Sequence, residues 1–154
     1  MNDLILAHYT AEPLVFDAQR TYAQHHPTFK PHGLWLTIDG EDGWRAWCVN
    51  ESFHPESLAH RTEFRLRENA NILHLESHRD VLHFTAKYAD KLARLRGWVD
   101  WSRVVDQYDG VLIAPYLWSA RMAIETTWYS TWDCASGCFW NLDAIELVPA
   151  AVTA

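Results

Sequence analysis

Leu4-Ile5-Leu6-Ala7-His8-Tyr9-Thr10, followed further along by Gly33-Leu34-Trp35-Leu36-Thr37-Ile38, is the stretch on which the fold turns. Both runs are short, apolar and rich in β-branched or aromatic residues, so each reads as a buried strand. Residues 11–26, AEPLVFDAQRTYAQHH, lie between them and carry apolar positions at helical spacing before Pro27 and Pro31, which predicts a helix there. Asp39, Gly40 and Gly43 then mark a turn, and Trp44, Trp47 and Cys48 fall at i, i+3 and i+4 on one face of a short helix.

Working outward, Thr62, Phe64 and Leu66 alternate with Glu63, Arg65 and Arg67, the period of a strand with one wet face. Ile72 to Leu75 is a short fourth strand. Ser77 to Tyr88 and Tyr88 to Arg96 read as helices, and Trp98, Trp101, Val104 and Val105 form the stripe of another. Asp109-Gly110 turns the chain into the β-rich run VLIAPY. A polar-aromatic stretch, residues 126–137, precedes one last strand over residues 138–148. This alternation predicts an α+β fold: a compact single domain over residues 1–154 with a split, mostly antiparallel β core flanked by helices.

Composition narrows the function. The 154 residues hold 13 Lys and Arg against 20 Asp and Glu, a formal net charge of −7, which argues against a globally basic nucleic-acid binder. No apolar run approaches the roughly 20 residues that span a bilayer, and MNDLILAHYT has no basic segment ahead of an apolar one, so the expectation is a cytoplasmic protein with no membrane partner. Three cysteines, Cys48, Cys134 and Cys138, make an odd set with no CxxC pair, which points to reduced thiols and no metal. His74 and His78 have i, i+4 spacing, with His83 beyond, but His74 belongs to the predicted strand and no HExxH occurs. The serine-hydrolase, dinucleotide-fold and P-loop signatures are also missing. Nine tryptophans mean either an aromatic core or a groove that stacks flat ligands.

Individual residues carry candidate chemistry. His8 and Thr10, two apart on a strand, share a face and could hydrogen-bond a ribose, or His8 could be a satisfied core histidine. Gly33 permits close approach to backbone, and Trp35 offers a planar face, for a ligand or for packing. Asp133 and Ser136 sit just ahead of the late strand, where loops display functional side chains, and Asp133 is the only acidic residue between Thr126 and Leu142.

Read together, LAHYT, GLWLT and the polar segment before the late strand resemble the ADP-ribosyltransferases. The likeness is greatest to the branch named for a His-Tyr-Glu triad, which includes diphtheria-type toxins and the poly-ADP-ribose polymerases. The resemblance implies an ADP-ribosyltransferase-like fold and NAD as substrate. His8 would bind the adenine-side ribose, with Thr10 where the family often has Thr or Ser. GLWLT resembles the motif GIYFA, with Trp35 in place of Tyr to stack on nicotinamide, and Trp47 before Cys48 would form the other wall of the slot. Arg65 or Arg67 would meet the pyrophosphate, or belong to a solvated strand face. The third motif departs from the pattern: Ser136 stands where the catalytic Glu belongs, with Asp133 three residues earlier and Glu125 upstream. Asp133 and Ser136 are therefore the catalytic candidates. The function so implied is transfer of ADP-ribose to a macromolecular acceptor, a protein in preference to nucleic acid. The alternatives are a non-catalytic nucleotide- or partner-binding module on the same fold, and a metal-dependent hydrolase.

Overall fold

Alternation decides the centre of the molecule. In the computed structural model, which describes residues 3–24, 27–92 and 97–151, the strands β1 (Leu6–Thr10) and β3 (His60–Leu66) pair antiparallel in unbroken register from Leu6↔Phe64 to Thr10↔His60. β2 (Leu34–Thr37) pairs with β6 (Ser136–Phe139), and β6 with β5 (Gly110–Ile113), both antiparallel. β4 (Ile72–Leu75) runs parallel to β5, and β7 (Ile145–Leu147) closes the far side against β3. The result is one mixed seven-stranded sheet in the order β4-β5-β6-β2-β1-β3-β7, within an α+β fold.

The sheet is weakest at its middle. β1 and β2 share a single register pair, Ala7↔Thr37, so four strands on one side and three on the other are joined through a narrow seam. Past that pair β1 and β2 diverge, and the opening between them becomes the cavity described below.

Two apolar clusters flank the sheet. Leu6, Leu36, Phe64, Leu112, Phe139, Leu142 and Ile145 form one. The other is aromatic and lies under helices α2 (His78–Tyr88) and α3 (Trp101–Val105) and the 3₁₀ segment Ile124–Thr131, and it includes Trp101, Trp128, Tyr129 and Trp132. α2 begins where Ser77 accepts the Asp80 amide at 3.1 Å, an N-cap, and it buries Val81, Phe84 and Tyr88 at i, i+3 and i+7. α1 (Trp44–Glu51) follows β2, and a short helix, Trp118–Arg121, lies between β5 and the 3₁₀ segment.

Three expectations are corrected. Residues 11–24 form no helix: Pro13 stands near the start, Asp17 accepts the Gln19 amide in a local turn, and Leu14 and Phe16, two apart, pack as an extended strap on the Leu6 cluster, with the Phe16 ring edge-on to Phe64 at 5.1 Å. His25 and His26 lie outside the described residues. The helix expected from Tyr88 stops at that residue, because the chain turns away to bridge Val99: the Asp90 amide donates to the Trp98 carbonyl, and the Tyr88 carbonyl accepts the Asp100 amide; residues 93–96 lie outside the described residues. The single late strand is two, β6 in mid-sheet and β7 at an edge, separated by a 3₁₀ turn at Leu142–Ala144 where Asn141 accepts the Asp143 amide.

Candidate functional site

The divergence of β1 from β2 opens a cavity of about 440 Å³, within the range of roughly 300–1,000 Å³ typical of small-molecule sites. His8, Trp35, Asp133 and Ser136 all line it, although they come from three strands and a loop, with His8, Trp35 and the Asp133–Ser136 segment widely separated in sequence.

His8 projects from β1 with its ring fixed. Nδ1–H donates to the Trp35 carbonyl at 2.7 Å, and because a carbonyl only accepts, the neutral ring keeps Nε2 as an acceptor. Trp35 stands edge-on to Trp132 with centroids 4.7 Å apart, and Lys30 Nζ lies 5.5 Å from the centroid of its ring, a cation–π contact. Lys30 also lines the cavity.

Asp133 is held by a small network. Arg121 Nη1 lies 3.5 Å from Asp133 Oδ1 and donates to the Tyr116 hydroxyl at 2.5 Å and to the Trp132 carbonyl at 2.8 Å. Tyr116 donates to the same carbonyl. Burial raises the Tyr116 hydroxyl above its ordinary pKa, so it remains a donor across the physiological range. Ser136 is buried at the start of β6, and its hydroxyl donates to the Cys134 carbonyl at 3.1 Å, which commits the proton a nucleophile would have to lose.

Trp132 is chemically the odd indole. Trp101 gives its N–H to the Thr28 carbonyl, Trp128 to Thr85 Oγ1 and Trp140 to the Tyr108 carbonyl. Trp132, equally buried and on the cavity wall, has no acceptor for Nε1–H among the described residues. A buried donor without a partner costs roughly 1–3 kcal/mol, so this position favours a ligand or water that brings an acceptor.

The remaining sequence candidates lie elsewhere. Thr10, two residues past His8, pairs with His60 beyond the cavity lining, and its hydroxyl is buried without a partner among the described residues. Gly33 precedes β2, and its closeness is to protein: an added Cβ would meet Cys138 Sγ at 2.6 Å and the Phe139 carbonyl at 2.7 Å. Trp47 stacks on Trp44 at 5.0 Å with planes 12° apart, and of the two it is Trp44 that lines the cavity. Arg65 is on β3, next to β1 but paired toward the β7 edge, with Nε 2.5 Å from Glu146, and Arg67 meets the same carboxylate at 3.2 Å. These arginines form a strand-face ion-pair cluster outside the cavity lining.

Sequence reasoning missed Lys30, Trp44, Phe53, His54 and Trp132 as cavity residues. A signal existed for Trp44 in its helical spacing from Trp47 and for Trp132 in its place beside Asp133. Phe53 and His54 gave none, since they follow a helix end whose left-handed turn at Ser52 re-aims the chain. Cys134 and Cys138 are buried free thiols pushed up in pKa by burial, as is Cys48, so none is poised as a thiolate. Among the described residues no three His, Cys, Asp or Glu side chains converge as metal ligands, and no helix is long and apolar enough to cross a membrane. No family model, curated protein or solved structure matches the chain.

Proposed function

We propose that the protein is a small ADP-ribosyltransferase, with an ADP-ribosyltransferase-like fold, that cleaves the nicotinamide glycosidic bond of NAD and passes ADP-ribose to a macromolecular acceptor, a protein in preference to nucleic acid. The observation that carries this reading is the meeting of His8, Trp35 and Asp133 in one cavity at the seam of the sheet. Their chemistries are complementary. An acceptor nitrogen on a fixed imidazole suits a ribose hydroxyl. An indole face suits the flat nicotinamide ring, and the unspent Trp132 N–H suits its carboxamide oxygen.

Cleavage leaves an oxocarbenium-like carbon on the ribose, while the bond's electron pair moves to the nicotinamide nitrogen and neutralises the ring. A carboxylate already in place stabilises that developing positive charge without reorganisation. Asp133 is the acid on the cavity wall, and Arg121 and the Trp132 carbonyl hold the segment that presents it. Lys30, on the same wall, is a cation available to a phosphate.

A second reading has its own observation. Asp133 is paired with Arg121 and the Ser136 proton is committed to backbone, an arrangement that also suits a module which binds a nucleotide and transfers nothing. Two measurements separate the readings. NAD titration followed by tryptophan fluorescence is expected to quench emission and raise Tm, since ligand binding stabilises by mass action. Incubation with labelled NAD and a lysate is expected to move label to protein. Binding without nicotinamide release favours the binding module, and no response at millimolar NAD overturns both. His8→Ala is expected to weaken NAD about tenfold, the scale of one lost hydrogen bond of roughly 1.4 kcal/mol.

A further inference from the structure

Resting on that reading of the cavity, we propose that His54, backed by Glu56, is the general base that deprotonates the acceptor, and that the acceptor group is a hydroxyl. His54 follows α1 and lines the same cavity as His8 and Asp133. Nδ1 is 2.8 Å from Glu56 Oε1, so Nδ1–H donates to the carboxylate and Nε2 keeps its lone pair. A carboxylate behind an imidazole fixes its tautomer and stabilises the imidazolium that forms when Nε2 takes a proton. The ring is held on a second side by Phe53, edge-on with centroids 4.5 Å apart.

The backbone is shaped to this end. Ser52 and His54 both have positive φ, 53° and 39°, on either side of Phe53. Residues other than glycine adopt that region at a cost, and such outliers concentrate at functional sites. The turn is fastened by Ser57, whose hydroxyl donates to the His54 carbonyl at 2.7 Å and whose amide donates to it at 2.9 Å. His54 contributes nothing to the core, with its side chain 63% exposed.

Among the cavity's titratable groups, His54 is the one best left with unspent base capacity. Asp133 faces Arg121, the Ser136 proton goes to Cys134, and His8 is the group the reading gives to ribose. The charged and titratable groups that share the cavity with His54 are Lys30, His8, Tyr9, Asp133 and the Cys134 thiol, which burial pushes up, and Tyr9 donates to Asp39, which Arg61 also pairs. The choice of hydroxyl follows from the base. A carboxylate acceptor needs no deprotonation, whereas a hydroxyl must lose its proton as it attacks. In the step, the hydroxyl oxygen bonds to the ribose C1′ as the bond to nicotinamide breaks, and the departing pair stays on the nicotinamide nitrogen. The proton passes to His54 Nε2 and then to water.

The test uses the full chain with NAD, in water alone and with added methanol as the simplest alcohol acceptor, following nicotinamide release and methyl-ADP-ribose from pH 5 to 9. His54→Gln is expected to slow release about 10²-fold, as loss of a general base does, with NAD affinity by fluorescence within twofold of wild type. The wild-type rate should rise with pH, and that rise should be gone in the variant. Glu56→Gln should reduce the rate less and keep the rise, and imidazole should restore part of the activity of His54→Ala. A wild-type rate and pH profile in His54→Gln overturns the base and leaves the NAD reading standing. A loss of NAD affinity as large as the loss of rate overturns it in favour of a binding role. A wild type that releases no nicotinamide overturns both.

Discussion

Trp128 and Trp132 are four residues apart at the end of one 3₁₀ segment, with rings 6.2 Å apart in one aromatic cluster, yet Trp128 lies in the cluster's interior and Trp132 at its border with the cavity. Trp128 sits among Phe84, Trp101 and Tyr129, fully buried, with its N–H given to Thr85. Trp132 faces Trp35 and the cavity, equally buried, with its N–H given to nothing described. The same side chain thus serves packing in one place and, on the reading proposed above, recognition in the other. The difference is legible in the hydrogen-bond ledger and not in the burial. A third aromatic group, Trp44, Trp47 and Phe53 at the cavity mouth, is neither: its rings contact one another while remaining partly open to solvent.

The contrast is broken most severely by Trp128→Ala. Removing a fully buried indole from a packed aromatic cluster is expected to cost about 3–5 kcal/mol, read as a lower midpoint in urea, and to lower NAD affinity only through the population unfolded. Asp133→Asn acts on the other side. It keeps shape, removes charge, and is expected to reduce nicotinamide release about 10²-fold, roughly 2.7 kcal/mol of transition-state stabilisation, with NAD affinity and the urea midpoint nearly unchanged. Full activity in this variant would move the role to Glu125 or Ser136.

Trp132→Phe sharpens the comparison directly. It keeps an aromatic ring in place and deletes the unpaired N–H, so NAD affinity should fall severalfold, the scale of one hydrogen bond of about 0.5–1.5 kcal/mol, while stability changes less than for Trp128→Phe, which deletes a buried hydrogen bond to Thr85 Oγ1. Equal effects of the two substitutions on both readouts would erase the distinction. Smallest is the change at the distant edge. Arg65 beside Glu146 holds its carboxyl below the usual carboxylate range, with Arg67 adding to it. The stability this pair contributes is present above the unfolded glutamate pKa, near 4.3, and lost as pH falls through the lower folded value. Glu146→Gln should remove a minor part of the acid sensitivity of unfolding without altering NAD binding, as befits an exposed pair.

How far the site was legible depends on residue spacing. His8, Trp35, Asp133 and Ser136 were each visible as a polar or planar group at a strand or strand entrance, and all four line the cavity. Arg65 was visible by the same logic and does not line the cavity, because alternation states which face a side chain takes and not which strand it neighbours. Gly33 signalled a close approach correctly in kind, but the partner is Cys138. His54 was invisible, since its position depends on two excursions into left-handed backbone, at Ser52 and at His54 itself, by residues that are not glycine.

What the sequence determined by itself was local: β3 from period two and β1, β2 and β5 from short apolar runs, α1, α2 and α3 from helical stripes, and an α+β fold from their succession. Hydrophobic pattern and turn chemistry act over a few residues, so they can be read there. The tertiary structure alone decided three things. The strap 11–24 is extended because Leu14 and Phe16 find the Phe64 cluster, and that burial outweighs a helical spacing interrupted by Pro13. The last strand divides because its two halves pair with different partners, β6 with β2 and β5, β7 with β3. The cavity exists because β1 and β2 share only Ala7↔Thr37 before diverging. Pairing of this kind joins residues far apart in the chain, and its free energy belongs to the assembled sheet, so no window of sequence contains it.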